Sequence, residues 1–474
     1  MSTPRNYDLV VIGSGPAGEK GAAQAAYFGK RVCMVEKARQ VGGASLNTGT
    51  LPSKTLRESA LTLTGLRDRG FHGASAEIRR QVSVGEFMYR KRFVVERERE
   101  RIERNIERHE IDLVYGTATF LDAHTVEVKR RSGGSERISG DYFLVATGSH
   151  PYRPPNIPFD DREVFDSDTI LDIDRIPTSM AVVGGGVIGC EYASVFAALG
   201  PKITLIENRD RLLPFLDREI GDVLHRALEG LGVNILLEEE LESCTIEGKE
   251  DVKCVLKSGR TLTTDKLLWA QGRMGSTGSL NLEKLGIKTN KRGQVEVNGS
   301  YQTALPHIYA AGDVIGIPAL ASTSMEQARV AMCHAFGIAY KQKVSETLPF
   351  GLYTIPEVSY VGLSEETAHE QKLDALVGRA RFRDNARGQI IGDTEGMLKL
   401  VFEAATGKLL GVHIIGERAT ELIHVGSLAV SKGGTIHDFI DMVFNFPTLS
   451  EAYKYAAYDG LQAMQRWQKA KASS

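Results

Sequence analysis

Two stretches of the chain carry the pattern G-x-G-x-x-G: Gly13, Gly15 and Gly18 in "VIGSGPAG", and Gly184, Gly186 and Gly189 in "VVGGGVIG". Where such glycines join a strand to a helix, the first permits a tight turn and the second lets a pyrophosphate approach the backbone. The third lets helix and strand pack closely, with the helix N-terminus facing the phosphates. Each pattern is followed by an acid at the same distance, Glu36 after Gly18 (36 minus 18) and Glu207 after Gly189 (207 minus 189). A carboxylate there can accept hydrogen bonds from an adenosine ribose. Glu207 would repel a 2′-phosphate, whereas Arg209 and Arg211 could bond one, so a dual-specificity site and a solvated ion pair both fit this run. A third stretch, "VGGASLNTGTLPSK" from Val41 to Lys54, combines glycines, hydroxyls and one lysine but has no acid, thiol or histidine.

The elements needed to position these groups are legible around them. Apolar runs at Leu9 to Ile12 and Val32 to Val35 enclose an alanine-rich helical stretch, which makes the first pattern a complete βαβ unit. The second pattern repeats it, with its closing strand at Ile203 to Ile206. Further downstream, "FLVATGSHP" and "LLWAQGRMGS" are strands breaking at glycine, one after each unit. The charged run beginning "RKRFVVERERERIER" keeps Val95, Ile102 and Ile106 at helical spacing and can pair Glu100 with Arg104, so it predicts a long solvated helix. A strand at Ile308 to Ala311 closes on Gly312 and Asp313, where a carboxylate can bond a ligand hydroxyl. From about Phe350 the texture becomes short β-rich runs, followed by helical stretches at roughly Ala419 to Lys432 and Glu451 to Gln468.

Composition sets the outer limits. The chain has 474 residues, 42% hydrophobic and 25% charged, with a formal net charge of −2. That is the composition of an ordinary multidomain globular protein. The balance gives no electrostatic footprint for nucleic acid or an anionic membrane. No apolar run approaches the roughly 18 residues of a membrane span, and the start lacks the organisation of a secretory signal, so a cytoplasmic location is expected. The five cysteines, Cys33, Cys190, Cys244, Cys254 and Cys333, form neither a zinc spacing nor a C-x-x-C motif. They are expected to be small buried hydrophobes, and no metal site is expected.

The ordered set "VIGSGPAG", "PSK", "VATG", "GGGVIGCEYAS", "YAAGDV", "YTIPEVSYVG" and "FPTLSEAY" resembles the pyridine nucleotide-disulfide oxidoreductases over essentially the whole chain. The resemblance implies an α/β fold with two Rossmann-like dinucleotide-binding domains and a C-terminal α+β dimerisation domain. It divides the chain into an FAD-binding first part (1–150), an NAD(P)-binding domain (151–274), an FAD-binding second part (275–345) and an interface domain (346–474). It assigns Gly13, Gly15, Gly18, Glu36, Gly43, Thr50, Lys54, Thr147, Gly148, Gly312 and Asp313 to FAD. Gly184, Gly186, Gly189, Glu207, Arg209 and Gly272 fall to the nicotinamide cofactor. In the family the lysine of "PSK" sits near flavin N5 in an ion pair with a glutamate, which makes Lys54 and Glu191 the implied catalytic pair.

Two departures matter. The disulfide reductases carry two cysteines where this chain has Ser45 and Thr50, and a hydroxyl cannot replace a thiolate in disulfide exchange. They also place a histidine before the proline of "PTLSE", whereas here Phe446 precedes Pro447, with Glu451 retained. Phenylalanine carries no proton. The losses fit the family's FAD-dependent transhydrogenase branch, although Ser45 stands where that branch would retain a cysteine. The implied reaction passes a hydride from NADPH through the flavin to NAD+ by a ping-pong route, in a homodimer. The competing expectations are an NAD(P)H diaphorase acting on quinone or oxygen, and a non-catalytic flavin or nicotinamide sensor.

Overall fold

In a computed structural model of the chain, residues 5–64, 83–248 and 251–473 are described. The first four residues, expected to be a short polar lead into the first strand, lie outside them. The strand Arg5–Ile12 runs parallel to Val32–Glu36 on one side and to Ile138–Val145 on the other. Ile308–Ala310 is added beyond Phe143–Val145, also in parallel, so a segment distant in sequence completes the first dinucleotide sheet. The long strand Asp112–Asp122 begins parallel to Val32–Glu36 and then pairs antiparallel with Thr125–Arg130, which in turn pairs with the start of Ser135–Val145. The sheet thereby closes on itself through two long strands shared between its parallel and antiparallel parts.

The second sheet is parallel throughout, in the order Val233–Leu236, Lys202–Ile206, Ser179–Val183, Lys266–Trp269, Val164–Asp166. Most residues of its strands are buried, because the helix Val187–Leu199 packs on one face and a small antiparallel sheet packs on the other, where Val183, Ile206 and Trp269 meet Cys244, Cys254 and Leu256. The two chain crossings between the sheets pair with each other, Ser149–Pro151 antiparallel to Arg273–Gly275. The third large sheet is antiparallel, ordered Phe350–Leu352, Val358–Gly362, Leu409–Ile415, Met397–Glu403, Ala375–Arg381. Helices Ala419–Ser431 and Ala452–Ala472 contribute buried residues to one apolar cluster with it.

The charged run forms the helix Val84–Arg108, started by a capping box between Ser83 and Glu86. Ile102 and Ile106 are buried in the core of the first sheet, and Glu100 reaches Arg104 at 3.7 Å. Phe87 and Met88, before the charged run, pack with Leu56, Ala60 and Leu61 of the helix Thr50–Leu63. That packing holds the helix on which Lys54 stands. The sequence reading omitted the short antiparallel sheet of Leu241–Glu247, Asp251–Leu256 and Thr261–Thr264, and the six-residue helix Ile436–Asp441. Elements this short carry too few residues for their period to stand out. All five cysteines are buried. Among the described residues no helix is long and apolar enough to cross a membrane, and no cluster of metal-ligating side chains occurs.

Candidate active site

The two glycine patterns fold into the same local structure. Gly13 and Gly184 turn with φ of +105° and +112°, and their N–H groups donate to Val35 and Ile206, each at 2.8 Å. A β-carbon on Gly18 would lie 1.9 Å from the Gly13 oxygen, and one on Gly189 would lie 1.8 Å from the Gly184 oxygen. Only a hydrogen fits at either crossing. Pro16–Tyr27 and Val187–Leu199 are the helices that follow, with backbone N–H groups at their N-termini left to a ligand. The terminal acids are placed alike. Glu36 accepts from Ser14 N (2.9 Å), Ser14 Oγ (2.6 Å) and Ala38 N (2.7 Å), and Glu207 accepts from Gly185 N (2.6 Å).

A cleft of about 1460 Å³ runs from the first pattern to the third sheet. It exceeds the roughly 300–1,000 Å³ of an ordinary small-molecule pocket, as an extended dinucleotide requires. Gly13, Gly15, Glu36, Gly43, Thr50, Lys54, Thr147, Gly148, Gly312 and Asp313 all line it, as does Ser45. Gly18 does not, since it is spent on helix packing. A β-carbon on Gly43 would sit 2.7 Å from Gly15 Cα, so the short helix Gly43–Asn47 starts in backbone contact with the phosphate turn. Asn47 Nδ2 fixes the start of that helix by donating to the carbonyls of Val41 (3.0 Å) and Gly43 (2.9 Å). Asp313 accepts from Ser149 Oγ at 2.8 Å, and Arg273 Nε donates to that hydroxyl at 2.8 Å. The Thr147 hydroxyl is buried on the cleft wall without a partner among the described residues, which a bound polar group would relieve.

Lys54 stands where the cleft meets the second and third sheets' segments. Its Nζ donates to Glu191 Oε2 at 2.6 Å and lies 5.0 Å from the centroid of the Tyr353 ring. The other oxygen, Glu191 Oε1, accepts from Tyr353 N at 2.9 Å. One turn further, buried Arg57 donates to Thr354 O at 2.9 Å and pairs with Glu357 at 3.0 Å. Segments from three sheets thus converge on one ion pair. Tyr353 and Arg57 escaped the sequence reading. The only signal for Tyr353 was its place in "YTIPEVSYVG", and Arg57 had none beyond following "PSK".

Two family profiles match the chain. Residues 7–332 match the profile "Pyridine nucleotide-disulphide oxidoreductase", and residues 348–457 match the dimerisation domain of the same family. The chain belongs to the pyridine nucleotide-disulphide oxidoreductases. Relatives in the family include the soluble pyridine nucleotide transhydrogenase of Mycobacterium tuberculosis strain H37Ra, 44% identical over 97% of this chain and 98% of that one. The protein of the same name from Pseudomonas putida strain W619 is 41% identical over 97% and 99%. Among solved structures, the Cu(II) complex of the HOCl-induced flavoprotein disulfide reductase RclA from Escherichia coli superposes with a TM-score of 0.87 at 28% identity, covering 96% of this chain and 99% of that one. LpdA from Mycobacterium tuberculosis gives 0.87 at 26% identity, again over 96% and 99%.

Pyridine nucleotide-disulphide oxidoreductases are FAD-dependent and use NAD(P)H. The residues of the cleft fit FAD: glycine backbone and a helix N-terminus for the pyrophosphate, Glu36 for the ribose, and the unpartnered Thr147 hydroxyl. Gly184, Gly186, Gly189, Glu207, Arg209 and Gly272 do not line this cleft. They form a separate turn, which reaches the cleft through Val187, Ile188 and Glu191 of its helix. Phe446 is exposed and lies off this cleft, and Glu451 closes the short turn before the last helix. Burial pushes the thiols of Cys244 and Cys254 up to about 11 and about 12, and no cysteine lines the cleft.

Proposed function

We propose that this chain is an FAD-dependent transhydrogenase that moves a hydride from NADPH to NAD+ in two half-reactions at one nicotinamide site, as a cytoplasmic homodimer. The observation that carries the reading is the lining of the cleft. Ser45 and Thr50 line it where disulfide reductases have thiols, and the protein's five cysteines are buried elsewhere. Electrons that enter here have no dithiol through which to leave, so a second nicotinamide is the fitting acceptor. The near-full-length identity to proteins named soluble pyridine nucleotide transhydrogenase supports the same conclusion.

FAD bound in the cleft supplies the two-electron carrier between the nicotinamides. The chain supplies binding and orientation. Gly13, Gly15 and Gly43 give close backbone approach, while Glu36 and Asp313 take ligand hydroxyls. Lys54 holds a positive charge in the cleft, fixed by Glu191, which is in turn fixed by Tyr353 N–H. A pre-oriented cation of this kind stabilises negative charge that develops during transfer. The division into FAD-binding, NAD(P)-binding and interface parts at 1–150, 151–274, 275–345 and 346–474 belongs to this reading. The pairing of Ile308–Ala310 with Phe143–Val145 supports the return to the first domain. In the dimer, Phe446 and its exposed neighbours Met442 and Val443 are assigned to the partner-facing surface.

The test mixes the FAD-loaded protein anaerobically with NADPH and a spectrally distinct NAD+ analogue. Reduction of the analogue with parallel lines in initial-rate plots is expected. Rapid quinone or oxygen turnover without analogue reduction would replace the reading with a diaphorase. A flavin that NAD(P)H cannot bleach would leave a sensor.

A further inference from the structure

Glu207 ends the second βαβ unit with its carboxylate already full. Besides Gly185 N, it accepts from Arg209 N at 3.0 Å, Arg209 Nε at 2.8 Å and Arg209 Nη2 at 3.2 Å. The two side chains differ sharply in setting: that of Glu207 is 2% exposed and that of Arg209 is 50% exposed. Their backbone is held from the next strand, with Glu207 N donating to Leu236 O (2.9 Å), Glu238 N to Arg209 O (3.0 Å) and Glu239 N to Glu207 O (3.0 Å). The segment is fixed, and the guanidinium is its movable part. The second arginine of the run is committed elsewhere, since Arg211 donates to Pro214 O in its own loop.

We propose that Arg209 is a two-position latch that lets the one nicotinamide site take both NAD(H) and NADP(H). This deepens the reading of the second unit as that site, and it follows from counting donors. With NAD(H), the ribose 2′- and 3′-hydroxyls replace Nε and Nη2 as donors to Glu207, and the guanidinium swings out to solvent. With NADP(H), the 2′-oxygen carries no hydrogen but brings a dianion. The guanidinium pivots from Glu207 to the phosphate, and Glu207 keeps the two backbone N–H groups and the 3′-hydroxyl. In neither state is the buried carboxylate left without donors, which is the condition for exchanging partners cheaply. Burial alone would raise Glu207, but the bonds from Arg209 and the backbone N–H groups outweigh it and hold the carboxyl below its ordinary value. With the latch closed, the acceptor is therefore charged at neutral pH. Glu238 is exposed just beyond the latch and adds negative charge there, so the phosphate depends on Arg209 for compensation.

The experiment measures binding of two fragments to the FAD-loaded full chain by calorimetry: adenosine 2′,5′-bisphosphate and AMP, which differ only in the 2′-phosphate. Wild type is expected to bind both. Arg209→Met should weaken the bisphosphate about 10- to 100-fold, the range for a lost charge-assisted hydrogen-bonding group, while AMP changes less than about threefold. Arg209→Lys should restore part of the bisphosphate affinity, because it returns the charge without the fork. Glu207→Gln should weaken AMP and tighten the bisphosphate, because the guanidinium is released. Equal loss of both fragments in Arg209→Met, or no loss of either, overturns the latch while leaving the transhydrogenase reading standing. Wild-type binding of neither fragment would remove the nicotinamide assignment itself and the latch with it. Flavin content and thermal unfolding of each variant check that the fold is retained.

Discussion

Lys54→Met separates an electrostatic role in hydride transfer from a purely structural one. Methionine keeps the unbranched stem that packs by Tyr353 and deletes only the charge. At 2.6 Å and an effective dielectric near 20, the attraction between Lys54 and Glu191 is about 6 kcal/mol before desolvation. Lysine is a quarter exposed and Glu191 nearly buried, so desolvation offsets most of that, and a net loss of about 2 kcal/mol in stability is expected. The effect on rate should be larger. Removing one pre-oriented electrostatic partner from a transition state costs about 2.7–4 kcal/mol, or 100- to 1,000-fold. Stopped-flow bleaching of the bound flavin by saturating NADPH, under anaerobic conditions, reads this directly, and thermal unfolding reads the stability. Glu191→Gln should give a smaller rate loss, and the double variant should couple by about 1–2 kcal/mol because the residues share one contact. An unchanged bleaching rate in Lys54→Met, with stability reduced, would refute the electrostatic role and leave Lys54 a structural partner of Glu191.

The paired glycines separate the two cofactors. Gly18→Ala forces a β-carbon to 1.9 Å from the Gly13 oxygen and should release FAD, seen as loss of the flavin's visible absorbance from the purified protein. Gly189→Ala, with the equivalent clash at 1.8 Å, should retain FAD and weaken nicotinamide binding, measured by fluorescence titration. Lys399 is almost fully buried between Asp217 (2.9 Å), Glu365 (2.6 Å) and Glu219 (3.3 Å). Lys399→Met strands the Asp217 carboxylate and should cost about 3–5 kcal/mol in denaturant unfolding. A thiol-titrating reagent at pH 8 should find no reactive cysteine in the native protein and five after unfolding, with transhydrogenation unaffected by the native treatment, because all five thiols are buried.

Much of the site was legible because its signals are local. A tight turn, a close helix crossing and a strand-end acid are each fixed by residues a few positions apart, so Gly13, Gly18, Glu36 and their counterparts in the second unit could be named from spacing alone. The long helix was legible for the same reason, since Ile102 and Ile106 keep its period. Boundaries followed less well: the helix starts at Val84, before the charged run that announced it, because Ser83 and Glu86 cap it.

The sequence by itself determined that two dinucleotide units exist, that the flavin-side loop lacks thiols, and that Lys54 is its one charged member. The pairing of Lys54 with Glu191, 137 residues apart, was implied only by the family resemblance, and the tertiary structure alone decided that Tyr353, 162 residues from Glu191, joins them. Such a contact depends on how three sheets pack, and no local period encodes it. Tertiary structure also joined Glu207 to Arg209 in the protein without ligand. The residues are two positions apart, but burial of one carboxylate and exposure of one guanidinium make them a closed pair, and those burials come from the strands that surround them.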